Sequence, residues 1–324
     1  MTHVPAQASC SICGFRQRSE STFRDTKSGK PISVSFCQQC GFVQQTDIPT
    51  DTELKVYYSH NYRTDYKNTY TPKLKHVHRA GIAACNRLKL LLQIAESPAN
   101  NTLLDVGAGG GEFVYLANQL GFQASGIEPN QGYSEFARDT YGVSVVTSMV
   151  QDLDPGSADI ITLFHVLEHI ADPIAVMERF WHVLKPGGLL FIEVPNILQP
   201  DASPANIYFK AHLHYFSRFT LAATASRYFA VETVEDRGNL KMVLVRRNEI
   251  LPEIILPTAE DMAYTQDRLA AKGWSEYLTV GGGWKKPLKK LARAARERTL
   301  RGDPREILDT IYAEYFGEPN QRRS

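Results

Sequence analysis

The stretch "LLDVGAGGGEFVYLANQLGFQASGIEPN", Leu103 to Asn130, decides the fold. An apolar run, Leu103 to Val106, enters a glycine-rich turn. A helical pattern follows to about Leu120, where Gly121 stops it. A second apolar run, Gln123 to Ile127, ends at Glu128. Strand, helix and strand in this order form a β-α-β unit, which implies a parallel sheet with a right-handed crossover. Within the turn, Asp105, Gly107, Gly109 and Gly111 spell D-x-G-x-G-x-G. Glycine is needed where the backbone turns tightly and a ligand must approach with no Cβ in the way. A dinucleotide turn is spaced G-x-G-x-x-G, whereas these glycines alternate. Glu128 stands about 20 residues beyond the turn, where a carboxylate can accept both hydroxyls of a ribose. The plain alternative is a surface acid in the turn "EPN".

Working outward, the alternation continues. Strands are predicted at 143–146, 158–164 and 189–194, with a helix over 173–184 before "KPGG". Another helix starts near Ser217, and two strands follow near 229–235 and 240–246. The fold class is α/β: a doubly wound, mostly parallel, seven-stranded Rossmann-like sheet over residues 99–246. Residues 47–98 read as a helical linker or lid. Tyr57, Tyr58, Tyr62, Tyr66 and Tyr70 are spaced as one stripe, and a helix-like pattern runs over 74–96. Residues 247–324 read as a charged helical extension. Its segment "WKKPLKKLARAARERTLR" carries eight Lys/Arg against one Glu. Such a basic stretch at 285–301 suits a peripheral membrane contact or simply a solvated helix face.

The chain has 324 residues, with 43% hydrophobic and 22% charged side chains, ordinary for a globular protein. The net charge of +1 gives no overall bias toward nucleic acid. No apolar run reaches the roughly 20 residues of a membrane span. No secretory signal opens the sequence, so a cytoplasmic location is expected. Four of the five cysteines form two C-x-x-C pairs, Cys10/Cys13 and Cys37/Cys40. In a reducing compartment such pairs favour zinc over disulfides. Residues 1–46 therefore read as a four-cysteine module around one structural Zn2+, with a hairpin turn at Gly29, Lys30 and Pro31. The fifth, Cys85, lies in an apolar helical segment and reads as core.

"LFHVLEHI", Leu163 to Ile170, contains H-x-x-E-H at His165, Glu168 and His169. Zinc proteases use that pattern on a sustained helix. Here His165 follows a strand directly, and Pro173 disfavours helix at the residue before it. The string instead suits the end of the fourth strand and the start of an active-site loop.

The motifs "LLDVGAGGGEF", "GIEPN", "ADIITLFHVLEHIADP", "VLKPGGLLFIEVPN" and "HLHYFS" together resemble the class I S-adenosylmethionine-dependent methyltransferases. The resemblance implies that Gly107, Gly109 and Gly111 line the methionine and ribose part of the cofactor. It places Asp105 beneath the loop and Glu128 on the ribose hydroxyls. Ser148 and Met149 would edge the adenine, and His165 would sit near the methionine end. The cysteine module ahead of such a domain is similar to that of deoxysugar C-methyltransferases, and "HVLEH" resembles quinone-pathway O-methyltransferases. In the former, the last histidine of the catalytic loop is the proposed base. That position is His212 in "FKAHLHYFS", with Tyr215, Phe216 and Ser217 also matching and Phe209 and Ala211 departing.

These readings set the functional expectation. S-adenosylmethionine would donate a methyl group to a small molecule, such as a nucleotide-linked sugar or glycan intermediate. His212 or His169 would act as general base, with His165, Glu168 and Tyr215 nearby. A histidine titrates close to ambient pH and suits a hydroxyl or a carbon acid, so O- and C-methylation both remain open. The alternative is a nucleic-acid methyltransferase reading its substrate through the cysteine module and basic tail, against which the near-neutral charge argues. The sequence leaves the oligomeric state open.

Overall fold

The computed structural model describes residues 9–16, 18–25, 29–50, 53–54, 72–95 and 97–317. The tyrosine stripe at Tyr57, Tyr58, Tyr62, Tyr66 and Tyr70 lies outside them.

The glycine-rich stretch folds as read. Strand β4 (Thr102–Val106) leads through the turn into helix α2 (Glu112–Gln119), then β5 (Gln123–Ile127). Strands β4 and β5 are parallel, with Asp105 opposite Gly126. Gly107, Gly109 and Gly111 all adopt positive φ, at 75°, 56° and 83°. Every second residue of the turn is thus left-handed, which accounts for the alternating spacing. A Cβ on Gly111 would also lie 2.6 Å from that of Ala137.

The remaining strands of this sheet are β6 (Val145–Val146), β7 (Ala158–Phe164), β8 (Leu184–Val194), β10 (Phe229–Glu235) and β11 (Leu240–Arg246). Their order is β10-β11-β8-β7-β4-β5-β6. Strand β6 runs parallel to β5, while β11 is antiparallel to both β8 and β10. The sequence expectation of a seven-stranded α/β sheet holds. Two bounds differ: β6 keeps only two of the four expected residues, and β8 begins at Leu184, taking in "KPGG".

A second sheet has the order β1-β2-β3-β9. Strands β1 (Arg18–Arg24) and β2 (Pro31–Cys37) form the expected antiparallel hairpin. Strand β3 (Val43–Gln45) pairs on its other side with β9 (His214–Tyr215), which lies in "HLHYFS". The cysteine module and that motif therefore share one sheet.

By compactness the described residues divide into two units, one from 1–51, 163–182 and 189–288, the other from 52–162, 183–188 and 289–317. The first holds the β1-β2-β3-β9 sheet. Ile32, Val34, Val43, Ile197, Leu198 and Tyr215 form a core there. It also contains helices α5 (Arg218–Ala225), α6 (Ala259–Ala270) and α7 (Trp274–Thr279). In the second unit, α1 (Leu74–Leu91) packs on α9 (Pro304–Phe316). The contact is close at Gly81, whose added Cβ would come within 2.7 Å of Leu308 and 2.9 Å of Ile311. Among the described residues, no helix is long and apolar enough to cross a membrane.

Candidate active site

The second unit contains the glycine turn. The amides of Gly107 and Ala108 both donate to the carbonyl of Ile127 at 2.9 Å, fastening the turn to the end of β5. Glu128 follows immediately and is buried. Its Oε2 accepts from the Gly109 amide at 2.9 Å and its Oε1 from the Asn130 amide at 3.1 Å. Asn130 caps helix α3 (Gln131–Phe136) through the Tyr133 amide. The carboxylate is therefore held rigidly beside the turn. Asp105 is buried as well, and the Thr162 hydroxyl donates to its Oδ1 at 2.6 Å. Burial pushes the Asp105 carboxyl up to about 7 despite that bond. Ser148 and Met149 follow β6. The Ser148 hydroxyl and the Met149 amide both point to Asp152 Oδ2, at 3.3 and 3.5 Å.

The first unit contains the histidines, and they gather around one carboxylate. His165 leaves β7 with φ of 57°, the single non-glycine positive φ among the described residues. That cost is typical of functional turns. Its amide donates to the Glu193 carbonyl at 2.8 Å, and its ring lies between two acids. Nδ1 is 3.4 Å from Glu168 Oε1 and Nε2 is 3.2 Å from Glu193 Oε1. Asn239 Nδ2 donates to the same Glu193 oxygen at 2.7 Å. Burial opposes charge on His165, but the two carboxylates outweigh it and raise its pKa to about 9. With 38% of the side chain exposed, solvent screens part of that pull.

Glu168 is only 1% exposed, in the three-residue turn Leu167–His169. Besides His165, its Oε1 lies 3.7 Å from His212 Nε2 and 3.9 Å from His169 Nε2. Burial would raise its pKa, yet the surrounding imidazoles hold it down at about 2. His169 Nδ1 sits 2.6 Å from the Ala211 carbonyl, which makes Nδ1 the donor and turns Nε2 toward Glu168. The rings of His169 and His212 meet edge-on at 4.9 Å. Ligand atoms of Glu168, His169 and His212 all lie within 4.8 Å of one another, a donor set of the two-histidine, one-carboxylate type. The H-x-x-E-H string is no protease helix: α4 (Pro173–Val183) begins only after it.

The loop carrying His212 is held from the cysteine module. Gln45 Nε2 donates to the carbonyls of His212, Lys210 and Phe209 at 2.7, 3.1 and 3.3 Å. The Tyr215 hydroxyl donates to the Phe209 carbonyl at 3.3 Å, and burial pushes its pKa up. His214 Nε2 lies 3.3 Å from the Ser11 hydroxyl. The His214 ring stacks on Phe42 at 5.4 Å, and burial pushes its pKa down to about 3, so it stays neutral. A cleft of about 280 Å³ opens beside this loop. Asn196, Asp201, Asn206, His212, Asn239 and Lys272 contribute to its wall.

The four thiols of Cys10, Cys13, Cys37 and Cys40 lie within 4.8 Å of one another. Cys10 and Cys40 sulfurs are 3.6 Å apart, and those of Cys13 and Cys37 are 3.5 Å apart. A disulfide needs about 2.05 Å. Sulfurs on a tetrahedral zinc, each about 2.3 Å from the metal, stand about 3.8 Å apart. The arrangement fits zinc and not a pair of disulfides.

Sequence reading singled out the glycines, the acids at strand ends and the histidines. It passed over Glu193, Asn239 and Gln45. Glu193 had a signal, an acid inside the apolar strand "LLFIEVP". Asn239 and Gln45 had none, since their partners lie 46 residues away or more.

A family model described as a methyltransferase domain matches residues 76–228. Over this stretch, a little under half of the chain, the sequence is similar to methyltransferase domains. A ubiquinone biosynthesis O-methyltransferase of Xanthomonas campestris pv. campestris (strain B100) is 35% identical over 102 residues, 29% of this chain and 43% of that protein. The protein of the same description from Serratia proteamaculans (strain 568) is 30% identical over 118 residues, 34% of this chain and 49% of its own. The chain thus spans somewhat under half the length of these curated relatives. The solved structure of an S-adenosylmethionine-dependent methyltransferase from Mesorhizobium loti aligns with a TM-score of 0.43 and 16% identity, covering 50% of this chain and 98% of that one. Within the matched residues, the glycine turn follows β4 and Glu128 follows β5.

Proposed function

We propose that this protein transfers a methyl group from S-adenosylmethionine to a hydroxyl of a small polar acceptor, with His212 as general base. The observation that carries the cofactor half is Glu128, buried and fixed beside three left-handed glycines at the end of β5. Bound S-adenosylmethionine supplies an electrophilic methyl on a sulfonium. The chain's own groups then have distinct tasks. The glycine turn admits the ligand without a Cβ, and Glu128 takes the ribose hydroxyls. Asp105, dry beneath the turn, orients it.

His212 is favoured as base over the other histidines. It lines the cleft, and its Nε2 faces the buried Glu168 carboxylate, which would stabilise the imidazolium formed when the acceptor loses its proton. His165, between two acids, favours the charged form and is a poor base. His214 is buried against the cysteine module. The amide, carboxylate and ammonium groups of the cleft suit a polyhydroxylated acceptor of the sugar or glycan-intermediate type. The relatives are named for O-methylation, which favours oxygen over carbon as the accepting atom. We further propose that Cys10, Cys13, Cys37 and Cys40 hold a structural zinc, supported by their sulfur spacing. With four thiolates bound, it would have no open position for chemistry.

The test is to incubate the purified protein with isotopically labelled S-adenosylmethionine and a panel of nucleotide-linked sugars and phenolic acceptors, read by mass spectrometry. Label on a sugar hydroxyl is the expected result. Label only on phenols overturns the acceptor class, and no heat of cofactor binding in a calorimeter overturns the whole reading.

A further inference from the structure

Helix α8 (Lys286–Arg298) has no buried residue, yet it is not a featureless polar helix. Trp284 just ahead of it, with Leu288 and Leu291 in it, are 60%, 65% and 67% exposed. At 3.6 residues per turn these three and Ala295 fall on one side. Lys286, Lys289, Lys290, Arg293 and Arg296 fall on the other. The helix holds six cations against one acid, Glu297. That acid is already engaged, because Arg79 grips it through both oxygens at 2.5 and 2.6 Å. Single exposed leucines are ordinary, but three large apolar side chains in register on a cationic helix, each left mostly open by the described residues, are not.

We propose that α8 and the preceding Trp284 lie on an anionic phospholipid surface, the apolar side in the acyl boundary and the flanking cations among the headgroups. Charge complementarity selects the occupant. A second copy docked through the apolar side would set two helices of six cations each side by side, with only Glu297, already held by Arg79, to offset them, and nucleic acid would leave the three apolar side chains in water. At 13 residues the helix is too short to span a bilayer and can only lie in its surface. The inference does not depend on the methyl-transfer reading, since it concerns a helix outside the matched domain.

The test uses the full chain with phosphatidylcholine vesicles and with vesicles that also contain phosphatidylglycerol, read by co-sedimentation and tryptophan fluorescence. The expected result is binding to the anionic vesicles alone, a blue shift of Trp284, and release by high salt. Two variants separate the contributions: Leu288→Ser with Leu291→Ser, and Lys289→Glu with Lys290→Glu. Each should weaken binding by about tenfold or more, since each basic group near an anionic surface adds several-fold. All four positions are exposed, so circular dichroism should show unchanged folding. Equal binding to neutral and anionic vesicles, or variants that bind like the parent, would overturn the proposal. So would light scattering that shows a dimer dissolved by the leucine substitutions, or a salt-sensitive nucleic-acid shift without vesicle binding.

Discussion

The groups proposed to hold the cofactor come from one continuous stretch, Asp105 to Glu128, of a single β-α-β unit and the residue after it. The cluster around Glu168 is assembled differently. His165, Glu168 and His169 come from one loop, His212 from another, Glu193 and Asn239 from two more places, and the clamp Gln45 from the cysteine module. The first arrangement is specified by local backbone geometry. The second exists only when a second sheet, β1-β2-β3-β9, is in place. Cofactor binding and turnover should therefore fail separately.

The largest effect should come from the cysteine module. Cys37→Ser removes a proposed zinc ligand, and metal binding of this kind is commonly the folding energy of so small a module. Zinc measured by elemental analysis should be lost. Turnover should vanish because the Gln45 clamp and the β3–β9 pairing go with it. Calorimetry should still find S-adenosylmethionine binding. Parallel loss of both would break the comparison, and so would full turnover without zinc.

His212→Ala should come next. Losing a positioned general base costs about 10²–10⁴-fold in rate. Cofactor affinity should stay as it was. If the variant keeps its rate while a His169 substitution loses it, the base is His169.

Glu128→Ala probes the other side of the comparison. It removes a buried charged acceptor that also fixes the Gly109 amide. Cofactor affinity should fall by about 1–3 kcal/mol. At saturating cofactor, turnover should recover, whereas it stays low in His212→Ala. Unchanged affinity would remove Glu128 from the cofactor site.

The same contrast explains what could be read from the chain. Strands β5, β7, β10 and β11 end where their apolar runs end, because periodicity and flanking glycines or acids are local signals. The alternating glycines were visible, and the left-handed φ values give their reason. Strand β9 was not visible. Two residues, His214 and Tyr215, carry no period, and their pairing with Val43 and Gln44 spans most of the chain. Glu168 could be read as one acid among histidines but not as the buried centre of three of them. That depends on where the loop holding His212 returns. Gln45, a plain glutamine at a strand end, takes its role wholly from that return.

The smallest effect should come from the pair His165 and Glu193. The His165 pKa is raised from 6.5 to about 9 by Glu168 and Glu193. A raised histidine pKa adds stability that is fully present below about 6.5 and is lost as pH rises through about 9. The melting temperature should therefore fall across that window. Glu193→Gln keeps the shape and removes one of the two charges, so its fall should be shallower. It should not disappear, because Glu168 remains at 3.4 Å from Nδ1. The ring is partly exposed, so screening keeps the difference small. Groups common to both proteins titrate alike and cancel in the difference between the two melting curves. Identical pH profiles for parent and variant would mean that Glu193 does not hold the charge on His165. The strained turn after β7 would then rest on Glu168, on Asn239 Nδ2 at 3.1 Å from His165 Nε2, and on the backbone bond to the Glu193 carbonyl.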